Sequence, residues 1–144
     1  MIAVDTNIAV YAHRQDSPWH DRAKRRILEL AEGNEVWAIP WPCIFEFVAV
    51  VTHRKIYSPP STAEEAIAQI EAWIESPRLI LLGEGDNYWP ALKSILQATR
   101  VTGALVHDAR VAGLCLHHGV KELWSADRDF SRFPKLSVRN PLLD

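Results

Sequence analysis

Short apolar runs alternate with longer stretches of helical spacing along the whole chain. Ile2 to Val4 is an apolar run that stops at Asp5, and it predicts a buried strand that delivers an acid to the edge of a sheet, with a helix following at once. Ser17-Pro18 has the form of an N-cap with proline at the first helical position. Ala23, Ile27, Leu30 and Ala31 then recur at helical spacing as far as Gly33. Val36 to Ile39 predicts a second strand. Pro40-Trp41-Pro42 breaks the chain and starts a helix through Cys43, Phe47, Val50 and Val51, and Pro59-Pro60 closes that unit.

Ser61 or Thr62 is expected to cap the next helix, because Glu64 and Glu65 stand three residues further on. Ile67, Ile70 and Ile74 mark its apolar face, and it ends before Pro77. Leu79 to Leu82 predicts a third strand, Asn87 to Ala98 a helix, Gly103 to His118 another helix stopped by Gly119, and Leu123 to Ser125 a last strand. Strands that alternate with helices and never meet through two-residue turns imply right-handed crossovers. The fold class expected is α/β, a mostly parallel sheet with helices on both faces. No internal repeat or low-complexity linker interrupts the pattern.

A chain of 144 residues with 48% hydrophobic content predicts one domain, residues 1–144, with a single core. No apolar run reaches eighteen residues and the start lacks the features of a secretory leader, so a soluble cytoplasmic protein without a membrane segment is expected. Cys43 and Cys115 sit in apolar segments without Cys-x-x-Cys spacing, which argues for buried thiols and against zinc or a disulfide framework. The formal charge of −2 does not announce a nucleic-acid binder. Local basic clusters at Lys24, Arg25 and Arg26 and at Arg54 and Lys55 soften that point, and they suit a solvated helix face as well as a phosphate contact.

Four acids change the picture. A carboxylate among apolar residues is costly unless it is paired or bound to a metal. Glu46 has Pro42, Cys43, Ala49 and Val50 as its helical neighbours, and Asp108 has Ala104, Leu105, Val111 and Ala112. Asp5 and Asp127 each follow a short apolar strand, and the carboxyl ends of parallel strands form the ligand crevice of α/β sheets. Any one of the four has an ordinary explanation, an arginine partner such as Arg110 or a capping role; two strand-end aspartates together with two acids on apolar helix faces do not. All-oxygen donors suit hard octahedral cations, so Mg²⁺, with Mn²⁺ as a substitute, is expected. Such ions support hydrolysis of a phosphodiester by an in-line water. Asp5 and Asp108 are first choices for direct ligands; Glu46 and Asp127 bind through water or hold the nucleophile.

These motifs resemble the PIN domain, and within it the VapC toxins of toxin–antitoxin pairs, across essentially the whole chain. Val4-Asp5-Thr6-Asn7 resembles the family's opening strand with its first acid and polar neighbours. Glu46 and Asp108 stand on the helices of the second and third acids. Leu123-Trp124-Ser125-Ala126-Asp127-Arg128-Asp129-Phe130 resembles the late segment, with Ser125 where threonine is commoner. The resemblance implies a PIN-like three-layer sandwich and a magnesium-dependent endoribonuclease cutting cellular RNA. It further implies Asp127 as the fourth acid with Thr6, Asn7, Ser125 and Asp129 supporting, a homodimer, and a cognate antitoxin. Trp19, Trp41, Trp73 and Trp89 are candidates for a partner surface or for core. His53, Arg54, Lys55, Arg14 and Arg110 are candidates for phosphate contacts. Competing readings are a non-catalytic PIN-fold module that binds RNA or protein, and a Mg²⁺-dependent aspartate phosphatase. The latter needs a second aspartate two residues after Asp5, where Asn7 stands.

Overall fold

The computed structural model describes residues 1–144. Five strands, β1 (Ile2–Val4), β2 (Trp37–Pro40), β3 (Leu79–Leu82), β4 (Glu122–Trp124) and β5 (Val138–Arg139), form one sheet in the order β3-β2-β1-β4-β5. Every neighbouring pair is parallel, and the register sets Ala3 beside both Ala38 and Leu123. Six helices flank the sheet: α1 (Thr6–His13), α2 (His20–Glu32), α3 (Trp41–Val51), α4 (Ala63–Ile74), α5 (Tyr88–Thr99) and α6 (Leu105–His117). Short 3-10 turns at Arg128–Arg132 and Pro141–Leu143 complete the chain.

The order of strands decides where a ligand can sit. From central β1 the chain moves outward through β2 and β3 on one side, then returns to β4 and β5 on the other, so the topological switch point lies between β1 and β4. In open parallel sheets the crevice at that point, beyond the carboxyl ends of the strands, is the ligand site. β1 runs directly into Asp5 and β4 into Ser125-Ala126-Asp127. Side chains of the three inner strands are fully buried at Ala3, Val4, Trp37, Ala38 and Leu123, as parallel strands covered on both faces must be.

Several boundaries differ from the sequence expectation, each for a local reason. α2 begins at His20, not at Ser17-Pro18; the Ser17 hydroxyl accepts from the Trp19 amide at 3.1 Å and makes a turn ahead of the helix. β2 and β4 each shift by one residue, leaving Val36 exposed. Thr62 caps α4 in a capping box with Glu65, while Ser61 is buried against His13. The face of α4 that meets the core is Ala66 and Trp73, with Ile70 half-buried; Ile67 and Ile74 are exposed. Trp73 packs edge-on against Phe47 of α3 at 5.0 Å, and this bulky contact sets the rotation of the helix. α6 ends in a Schellman turn. Gly119, at φ +69°, donates to Leu116, and Val120 donates to Cys115 at 2.8 Å. Cys43 and Cys115 are buried free thiols.

Candidate active site

Asp5 ends the extended backbone of β1 and stands at the N-cap of α1. Only 6% of it is exposed, and its carboxylate is held by nearby side chains and by the backbone amide of Thr6. One carboxylate oxygen accepts from the Ser125 hydroxyl at 2.7 Å and from the Asn7 amide at 3.4 Å; the other accepts from the Cys43 thiol at 3.5 Å. Burial nonetheless pushes its pKa above the usual value, outweighing the hydrogen bonds that lower it, and the nearby Glu46 charge adds a smaller push upward. Asn7 ties the two strand ends together, because its side-chain oxygen accepts from the Ala126 amide at 3.1 Å. Ser125 does the same from the other side, accepting from the Asp127 amide at 3.0 Å while it donates to Asp5. The switch point is thus closed by side-chain bonds that fix the direction of both acids.

Asp127 caps the 3-10 turn, its carboxylate accepting from the Asp129 amide at 2.9 Å, and Phe130, buried behind it, anchors the turn in the core. Asp108 projects from the first turn of α6. Ligand atoms of Asp108, Asp127 and Asp129 all lie within 4.8 Å of one another. Thr6 donates to Glu46 at 3.3 Å from the first turn of α1. Asp5, Thr6, Asn7, Glu46, Asp108, Asp127 and Asp129 line one cleft of about 820 Å³. Ser125 sits beneath it, 2% exposed.

One sequence expectation needs correction, and one rival explanation falls away. Glu46 is not a buried carboxylate on an apolar face: it is exposed on the cleft rim, and of its helical neighbours Ala49 is exposed and only Cys43 is buried. α3 is apolar around its whole circumference, but only Cys43, Ile44, Phe47 and Val51 are buried. Arg110 does not compensate Asp108, because its guanidinium is bound to Glu84. No ion pair in the molecule involves Asp5, Glu46, Asp108, Asp127 or Asp129. Asp108 registers the result, its pKa raised to about 6 by burial first and then by Asp127, Asp5, Asp129 and Glu46. Five acids converge without a cation to balance them, and all their donor atoms are hard oxygens. That is donor chemistry that suits a hard metal cation.

The remaining candidates separate by position. Arg14 is held by Asp16, and Lys24 and Arg25 are exposed on α2 outside the cleft lining. Arg26 lies over the Trp124 ring at 5.1 Å and pairs with Glu29 and Asp144. His53, Arg54 and Lys55 are exposed. Trp73 is core, whereas Trp19, Trp41 and Trp89 are exposed. Tyr11 and Tyr57 line the cleft, and neither was marked by periodicity or motif, because each depends on how distant segments meet.

A parallel sheet with its switch point lined by acids on β1, α3, α6 and the turn after β4 defines a class, and the PIN domain family model matches residues 2–136. The chain belongs to the PIN domain family. Within it, Ribonuclease VapC48 of Mycobacterium tuberculosis is 32% identical over 137 residues, covering 95% of this chain and 94% of that one. Among solved structures, VapBC2 from Rickettsia felis bound to a DNA fragment from its promoter superposes with a TM-score of 0.65 at 21% identity, covering 96% of this chain and 98% of the other. Mycobacterium tuberculosis VapC20, described as a sarcin-ricin loop cleaving toxin, superposes with a TM-score of 0.63 at 17% identity, covering 91% and 93%. The chain is therefore a PIN-domain nuclease of the VapC ribonuclease type.

Proposed function

We propose that this protein is the Mg²⁺-dependent endoribonuclease toxin of a type II toxin–antitoxin pair, a single PIN domain that hydrolyses cellular RNA in the cytoplasm. The observation that carries the site assignment is the convergence of Asp108, Asp127 and Asp129 within 4.8 Å in the cleft that also holds Asp5 and Glu46, with no arginine or lysine paired to any of them. Asp5, Asp108, Asp127 and Asp129 would hold the ion, and Glu46, more exposed and hydrogen-bonded to Thr6, would take a proton from a water. When bound, a divalent cation supplies charge stabilisation at phosphorus and eases deprotonation of the attacking water. The residues around it keep the geometry. Ser125 and Asn7 fix Asp5, and the Asp127–Asp129 hydrogen bond fixes the late turn, so little reorganisation accompanies substrate binding.

Asn7 argues against an aspartate phosphatase, since it stands where that chemistry needs a second acid and is already bonded to Asp5, Ser125 and Ala126. A homodimer and a cognate antitoxin belong to the same proposal. Their support is apolar surface: Trp41, Phe45, Ile80 and Trp89 are exposed, and Phe45, 67% exposed, reaches the cleft itself.

The test is cleavage of total cellular RNA by purified protein with Mg²⁺, with Mn²⁺ and with chelator, comparing the unsubstituted chain with Asp5→Asn and Asp108→Asn. Metal-dependent cleavage lost in both variants is the expected result. Cleavage that survives chelation, or that both variants retain, overturns the proposal.

A further inference from the structure

The loop between α3 and α4 is held by more polar contacts than a connecting loop requires. Ile56 and Tyr57 amides both donate to the His53 carbonyl at 3.0 Å, and Ser61 donates to the Val51 carbonyl at 2.8 Å. From α1, Arg14 donates to the Pro59 carbonyl at 3.0 Å and to the Ser61 hydroxyl at 3.3 Å, while Asp16 takes its remaining donors at 2.9 and 2.6 Å. His13 lies 2.9 Å from the same hydroxyl and 3.1 Å from Gln69 of α4. A guanidinium fixed in this way lies 4.2 Å from the centre of the Tyr57 ring.

Arg14 is outside the lining of the acidic cleft and Tyr57 is inside it. Tyr57 thus belongs to the cleft wall while the guanidinium over its ring does not. Glu46 and Val50 are four residues apart on α3, about 6 Å of rise, and both line the cleft, as Tyr57 does. In the same loop, His53, Arg54 and Lys55 are exposed, lie outside the cleft lining and take part in none of the ion pairs. Arg14 and Arg110, by contrast, are neutralised, Arg14 by Asp16 and Arg110 by Glu84. An aromatic ring in the wall of a hydrolytic cleft, with exposed cations two and three residues away in the chain that pair with no acid, is a combination that takes an unpaired nucleotide: the base stacks and the phosphate meets the cations.

We propose that Tyr57, backed by Arg14, is a stacking platform for one unpaired base of a single-stranded RNA segment next to the scissile phosphate, with Arg54 and Lys55 receiving the adjoining phosphates. This rests on the ribonuclease reading and adds to it a requirement for unpaired nucleotides at that end of the cleft. Tyr57 acts in binding and touches no reacting atom.

The test uses the full chain carrying Asp108→Asn, so that cleavage does not consume the probe, in Mg²⁺ buffer. The probes are fluorescein-labelled (A)12, (U)12 and a 12-mer of abasic ribose phosphates, read by anisotropy. Tyr57→Ala is expected to weaken binding of both base-containing oligomers by about 5- to 150-fold, the range of base–aromatic stacking. It leaves the abasic oligomer within about twofold, and Tyr57→Phe binds all three as the parent does. Lys55→Ala weakens all three alike and lowers the salt slope by about 0.7, the share of one phosphate contact on a single strand. Equal weakening of base-containing and abasic oligomers by Tyr57→Ala would mean a loosened loop and overturns the platform. So does no weakening, a Tyr57→Phe variant as poor as the alanine, or a parent that binds none of the probes. If the unsubstituted chain cuts RNA while these comparisons fail, the platform falls alone; if it cuts no RNA, the ribonuclease reading falls.

Discussion

At Asp108, burial and the neighbouring acids push in the same direction, and the carboxyl is raised to about 6 from an ordinary 3.8. Between those values the folded chain holds a proton that the unfolded chain has lost, so the metal-free protein loses stability as pH rises through that window. Function is served at a cost to stability. Asp108→Asn is expected to raise the metal-free melting temperature at pH 7.5, flatten its dependence on pH between 4 and 7, and abolish cleavage; thermal unfolding in chelator at several pH values checks the first two. Ser125 offers the opposite case. Its hydroxyl serves both Asp5 and the Asp127 amide, so Ser125→Ala should cost about 1–3 kcal/mol by denaturant titration and reduce cleavage, with Ser125→Thr close to the parent. Asp5 and Asp127 were legible in sequence because an acid directly after an apolar strand is conspicuous. The setting of Glu46 was not, since in a helix apolar on every side no periodicity says which stripe turns to solvent.

Elements were readable where their ends carry chemistry. Gly119 stops α6 as its position suggested, and Leu79–Leu82 is a strand over the expected residues. Thr62 with Glu65 starts α4, and Thr62→Ala should lower stability by about 1 kcal/mol in a chemical denaturation series without changing the cleavage pattern. Rotation about an element's axis was harder to read than its ends. Three isoleucines suggested one face of α4, but the ring of Trp73 against Phe47 decided another. β5 was invisible because two residues carry no alternation; its existence depends on pairing with β4, where Leu123 meets Val138. The α3–α4 loop was unreadable for a related reason, since it is fastened to Arg14, distant in sequence, which packs on Tyr57 and donates to Ser61.

At the scale of the molecule, a parallel sheet brings two strand ends together at one switch point, and α3 and α6 carry the other acids to it. Alternation of strands and helices made the fold class legible, and the order of strands then explains why residues as far apart as Asp5 and Asp129 share a cleft. Apolar side chains left on the surface, with Phe45 and Trp89 among the most exposed, suit a protein that spends part of its life covered by a partner.

The acids were assembled here, on the present account, to hold a divalent ion, and titration of the purified chain with Mn²⁺, followed by the electron paramagnetic resonance signal of the free ion at pH 7.5, asks this most directly. Expected is saturable binding of one or two ions per chain, displaced by Mg²⁺, weakened by about tenfold or more in Asp108→Asn and weakened again as pH falls below about 6, where Asp108 takes up a proton. Absence of saturable binding, or equal binding by the Asp108→Asn variant, would contradict it.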